Sequence, residues 1–136
     1  MKTFKICLLI LVTFACNDDK DATPKANNGL VGKWKLTEYL ADPGNGSGKW
    51  QKVDDNSSSV IEFKANGDFS EVKGVVYSSI NPYNTYKILD DKNLELSVKD
   101  SSAMKKTWHY SDLTSTTLTL SYGCFEACSG RYVAVK

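Results

Sequence analysis

Side chains able to carry chemistry are few in this 136-residue chain, which holds one histidine and four cysteines. His109 stands between Trp108 and Tyr110 in an alternating stretch, where an outward, solvated imidazole is expected. A single histidine supplies no second base. The chain contains no Gly-x-Ser-x-Gly, no His-Glu-x-x-His and no glycine loop of the kind that cradles phosphate. Cys124 and Cys128 are separated by three residues, whereas redox pairs favour a two-residue spacing at a helix start. With only His109 to add a nitrogen ligand, zinc finds no site either. Asp42, Asn45, Asp54 and Asp55 offer oxygens, but their spacing departs from that of a calcium loop. Glu38 falls by strict alternation on an apolar face, where a lone carboxylate is expected to be paired or to sit at a cavity mouth. The residues therefore read as a non-enzyme, with no catalytic set, no metal and no cofactor.

The amino terminus speaks to location. Lys2 and Lys5 precede an uncharged run, Ile6 to Ala15, which as a helix would span about 15 Å, half of a bilayer's apolar thickness. That is the length of a signal-peptide core, so residues 1–15 are expected to be removed. Thr13-Phe14-Ala15-Cys16 resembles the lipobox of bacterial lipoproteins, with Phe14 bulkier than usual. The resemblance implies that Cys16 becomes the first mature residue and carries acyl chains such as palmitate. Each buried methylene contributes about 0.8 kcal/mol, so more than one chain holds a domain on a membrane durably. Export also makes a Cys124–Cys128 disulfide the expected state.

Seventeen basic and sixteen acidic side chains balance, and loss of Lys2 and Lys5 leaves fifteen against sixteen. Neither form has the basic excess of a nucleic-acid binder. Residues 16–29 follow as a tether, without a large apolar side chain from Asn17 onward, and too poor in burial to offset the entropy of ordering. Extended, they reach about 45 Å. Their acidic opening, Asn17 to Asp21, resembles the signal that routes Bacteroidota lipoproteins to the cell surface. The expected location is the outer membrane, on its cell-surface or periplasmic face.

From Leu30 to Lys136 the pattern becomes short alternating runs divided by turn residues, which predicts an all-β domain. Strands are expected at 31–41, 60–65, 68–73, 83–89, 94–99, 105–111, 116–122 and 130–135. Asn66-Gly67 and Asp90 to Asn93 supply turn chemistry between them. Eight antiparallel strands in sequence order can close into an up-and-down barrel and so abolish exposed edges. At that size a barrel is just filled by side chains or holds one small ligand. Residues 42–59 read as a long Gly- and Ser-rich loop.

Gly32-Lys33-Trp34 at the start of the first strand, with Arg131 in the last, resembles the Gly-x-Trp and distal arginine of lipocalins. The stretches Leu30 to Leu36, Asp42 to Trp50 and Cys124 to Val135 are similar to lipocalin-like lipoproteins of the Bacteroidota type. This resemblance implies a barrel floor in which Arg131 covers Trp34, beneath a lid formed by the first long loop. Alternation places Arg131, Val133 and Val135 on one face, expected to be the core side. The eighth expected strand ends at Val135, and the carboxy-terminal helix of full lipocalins is not expected, so their ligand chemistry does not carry across.

The expected function is membrane-anchored binding of a small apolar molecule. Glu38, Leu40, Trp50, Phe63, Phe69, Tyr86, Trp108 and Tyr110 are the candidate contacts, with Val53 added by the lid. A filled barrel would instead suit a structural or protein-interaction module, an inhibitor or an accessory subunit.

Overall fold

The computed structural model describes residues 29–73 and 82–136. Cys16, the segment before it and most of the tether lie outside the described residues. Among the described residues, alternating apolar and polar positions give nine strands: β1 (Gly32–Ala41), β2 (Lys49–Lys52), β3 (Val60–Phe63), β4 (Phe69–Lys73), β5 (Thr85–Ile88), β6 (Asn93–Ser97), β7 (Lys105–Ser111), β8 (Thr117–Ser121) and β9 (Cys128–Val135).

Eight of them pair antiparallel in the order β4-β3-β1-β9-β8-β7-β6-β5, while β2 adds to β1. The two ends of that path meet. Asp68 and Thr85 form an antiparallel bridge, Phe69 N–H donates to the Asn84 carbonyl at 2.8 Å, and Tyr86 N–H donates to Gly67 O at 2.8 Å. The sheet is thus a nearly closed eight-stranded barrel, and its closure hides the two edges that would otherwise remain.

The ninth strand corrects the sequence reading. Residues 42–59 are not one loop over the mouth. Lys49–Lys52 turns back to pair with Glu38–Ala41, and Val60–Phe63 then continues along the same edge of β1. The turn between β1 and β2 is built by Asp42, whose Oδ1 accepts the amides of Gly44, Asn45 and Gly46 and whose Oδ2 accepts Gly48 N–H at 2.7 Å.

A second correction concerns β1 itself. Its pairing with β9 slips by one residue between Leu36 and Glu38, a β-bulge at Thr37. Trp34 and Leu36 point inward, and the extra residue turns Glu38 and Leu40 to the outer face. The bulged backbone is not left wanting, because Val53 N–H donates to Thr37 O at 2.9 Å. The Thr37 hydroxyl donates to Arg131 O at 3.1 Å.

The inward side chains form the core. Leu30, Trp34, Leu36, Ile61, Phe63, Phe69, Leu94, Leu96, Leu118, Leu120, Tyr132 and Ala134 are buried. Trp34 lies at the floor, and its indole N–H donates to Leu30 O at 2.9 Å. Gly32, two residues before it, takes φ 143°, which side chains rarely adopt. Ile88 is half exposed at the end of β5.

Packing reaches the backbone at Gly130. A methyl group there would lie 2.7 Å from Leu36 Cδ1 and against the hydroxyl of Tyr122. Trp34→Ala should lower stability by about 3 kcal/mol or more through the cavity it opens, and Gly130→Ala by about 1–3 kcal/mol through overpacking. Denaturant unfolding of each variant checks both. A wild-type midpoint in either contradicts its placement.

Candidate ligand-binding lumen

Inward positions on successive strands bring the aromatic side chains into one column. Phe63 and Phe69, opposite each other on β3 and β4, have ring centroids 5.2 Å apart. Tyr86 of β5 meets Phe63 edge-on at 5.0 Å. Phe69 reaches across to Trp108 of β7 at 5.8 Å, and Trp108 meets Tyr122 at 5.0 Å, both nearly perpendicular. The Tyr122 and Tyr132 hydroxyls share a buried hydrogen bond of 2.6 Å. Edge-to-face contacts of this kind contribute about 0.5–1.5 kcal/mol each beyond burial.

Two polar atoms in this interior have no partner. Trp108 Nε1 and Ser59 Oγ are both buried and unbonded. Ser59 shares the alternation of Ile61 and Phe63, and so faces inward from the wall opposite β7. An unmade buried hydrogen bond costs about 1–3 kcal/mol. Among the described residues the only polar side chains buried to this degree are Ser58, Ser59 and Ser129; the charged residues that register places on the inward face, Glu71 opposite Ile61 and Lys106 opposite Leu96, are only partly buried.

The candidate contacts thus divide. Phe63, Phe69 and Trp108 line the lumen. Tyr86 and Tyr110 are half buried, but their hydroxyls donate to carbonyls near the floor, Tyr86 to Lys64 O at 2.9 Å and Tyr110 to Asp90 O at 2.8 Å. Burial pushes both phenols above their ordinary ionisation range, aided for Tyr110 by Asp90 and Asp91. They staple the β3–β4 and β5–β6 turns to the wall.

Glu38, Leu40 and Trp50 lie outside the lumen. Arg131 also faces outward, with its guanidinium 4.0 Å over the Trp50 ring and 2.9 Å from Glu38 Oε2. It does not cover Trp34, because Tyr132 and Ala134, not Arg131 and Val133, are the inward members of β9. The expected pairing of Glu38 is met, with Arg131 as the partner. Val53 packs at the edge of the core. His109 is exposed, as expected.

Cys124 and Cys128 are joined by a disulfide. The loop they close carries Phe125, which is fully exposed. It adjoins the β1–β2 turn, where Asp42 N–H donates to Ala127 O at 2.9 Å. Elsewhere on the outer wall, Thr85, Ser97, Lys99 and Lys105 line a shallow open depression.

A family model for the lipocalin-like domain matches residues 30–120. The chain belongs to the lipocalin-like domain family. No curated protein and no solved structure matches it. The lipocalin-like match spans β1 to most of β8, including the Gly32-Lys33-Trp34 entry, and agrees with the nearly closed antiparallel barrel.

Three carboxylates outside the lumen of this lipocalin-like barrel set its acid response. Amide hydrogen bonds from Gly48 and Gly44 hold Asp42 below its ordinary range, the Asn93 side chain does so for Asp90, and Lys35 for Asp55. A depressed folded value means that the stabilisation is complete above the ordinary aspartate range, near pH 4, and is lost as pH falls through the folded values. Thermal midpoints should stay level from pH 7 to about pH 5 and fall below about pH 4. Asp42→Asn should lower the midpoint at pH 7 and soften that fall. An unchanged acid slope in the variant would contradict the role given to Asp42.

Proposed function

We propose that this lipocalin-like barrel is a non-enzymatic carrier of a small, predominantly apolar molecule, held at a membrane by acylation of Cys16. The observation that carries the reading is the column of Phe63, Phe69, Trp108 and Tyr122, aromatic and free of charge, within a closed wall. Small-molecule sites are typically lined in this way, with few polar groups. The lipobox-like Thr13 to Cys16 and the acidic residues after it support an outer-membrane lipoprotein of the Bacteroidota type, at the cell surface or the periplasmic face. The balanced charge favours neither nucleic acid nor another polyanion as partner.

Fully exposed Phe125, on its disulfide-closed loop, supports a second reading as a protein-interaction module with a filled barrel, an inhibitor or an accessory subunit. One titration separates the two. The full chain, extracted in detergent, should bind the neutral fluorophore N-phenyl-1-naphthylamine saturably at one probe per chain, and Phe125→Ser should leave that binding unchanged. Native mass spectrometry of the same sample should show a chain that begins at an acylated Cys16. No saturable binding by a folded sample would favour the interaction module, and an unmodified Cys16 would remove the anchor.

A further inference from the structure

We infer that the lumen selects a neutral, flat molecule bearing a hydrogen-bond acceptor, a carbonyl oxygen above all, and that the Trp108 indole N–H reads that acceptor. The inference rests on the lumen reading above and adds the class of ligand. Trp108 is nine-tenths buried, yet its Nε1 has no partner. An indole nitrogen can only donate, so what it lacks is an acceptor.

The surroundings narrow the choice further. Phe69 and Tyr122 meet the Trp108 ring nearly edge-on, at 87° and 70°. They hold it in place and leave it little freedom to swing its N–H toward solvent. Flat rings suit walls of this kind, because they can take up further edge-to-face contacts. Charge does not suit them. The charged side chains that register places on the inward face, Glu71 opposite Ile61 and Lys106 opposite Leu96, are only partly buried, and no lysine, arginine or histidine is among the fully buried residues described, so a carboxylate seated at Trp108 would lose its hydration without a buried counter-charge. The one arginine of the last strand is spent on the outer face, against Trp50 and Glu38. A plain hydrocarbon would leave Nε1 unserved. Ser59 Oγ, unbonded on the opposite wall, offers a second polar contact to a ligand that spans the lumen.

Three naphthalenes of one size test this on the full chain in detergent: 2-acetylnaphthalene, 2-ethylnaphthalene and 2-naphthoate. The acetyl compound should bind about 3- to 10-fold more tightly than the ethyl compound, the range one net hydrogen bond supplies. The naphthoate should bind more weakly than either. The chain has three tryptophans, and in a nitrogen-15 proton correlation spectrum the Trp108 indole signal alone should move downfield with the acetyl compound. Trp34 is already bonded to Leu30, and Trp50 lies outside. Trp108→Phe should make the acetyl and ethyl affinities equal while both still bind. Should that variant fail to fold, the wild-type spectrum decides alone. Equal wild-type affinities with an unmoved Trp108 signal would overturn the acceptor role and leave the apolar lumen standing. Absence of binding by all three would remove the lumen reading and this inference with it.

Discussion

One extra residue in β1 governs which chemistry lies inside this barrel. Without the bulge at Thr37, strict alternation from Trp34 and Leu36 would carry Glu38 and Leu40 into the lumen, and a carboxylate would need a buried cation beside it. With it, Glu38 faces outward opposite Arg131. A half-exposed ion pair contributes little to stability by itself. The Trp50 ring beneath the guanidinium adds a cation–π contact of about 0.5–1 kcal/mol at such an exposed site. Together they fasten β2 to the outside of β1 and β9. The consequence for function is electrostatic, since the clamp keeps the charges of Glu38 and Arg131 in the solvent-facing layer and away from the aromatic column.

The floor of the barrel is held by a different device. Trp34 needs no cation there, because Leu30 folds under it and accepts its indole proton. Tyr86 and Tyr110 anchor two turns near the same end with their hydroxyls, so polar groups close to the floor are satisfied by the chain itself. Trp108 is the contrast. It is buried to a similar degree, gripped by aromatic edges, and still lacks what Trp34 has. Within one lipocalin-like domain, two buried tryptophans thus differ in whether the backbone supplies an acceptor, and the binding role proposed for Trp108 rests on that difference.

Much of the architecture was legible from residue order. Strand runs of alternating Val, Ile, Leu and aromatic residues, Asn66-Gly67 and the Asp90 to Asn93 turn give the antiparallel meander. The number of strands and the need to bury their edges then give closure. Phe63, Phe69, Trp108 and Tyr122 fall on the inward side by period two alone. What was not legible depends on register. A bulge adds one residue without a sequence signature of its own, and every residue beyond it exchanges faces, which is why Glu38 and Leu40 were assigned inward. Arg131 was misplaced by the same uncertainty of phase. Its neighbours Val133 and Val135 are apolar yet outward, while Tyr132 and Ala134 form the inner row, so hydrophobicity pointed the wrong way. β2 was hidden for another reason: Lys-Trp-Gln-Lys is polar around one aromatic residue, and its pairing depends on the Asp42 turn that brings it back. The open hydrogen-bonding capacity of Trp108 and Ser59 is a property of three-dimensional neighbours and has no counterpart in the sequence.

The cation of β9 lies outside on Trp50, and Trp34 stands inside without one. Nuclear Overhauser contacts from the Arg131 side-chain methylenes test it most directly. The structure requires contacts to the Trp50 ring protons and none to those of Trp34; contacts to Trp34 would return the cation to the floor and contradict the outward placement of Arg131.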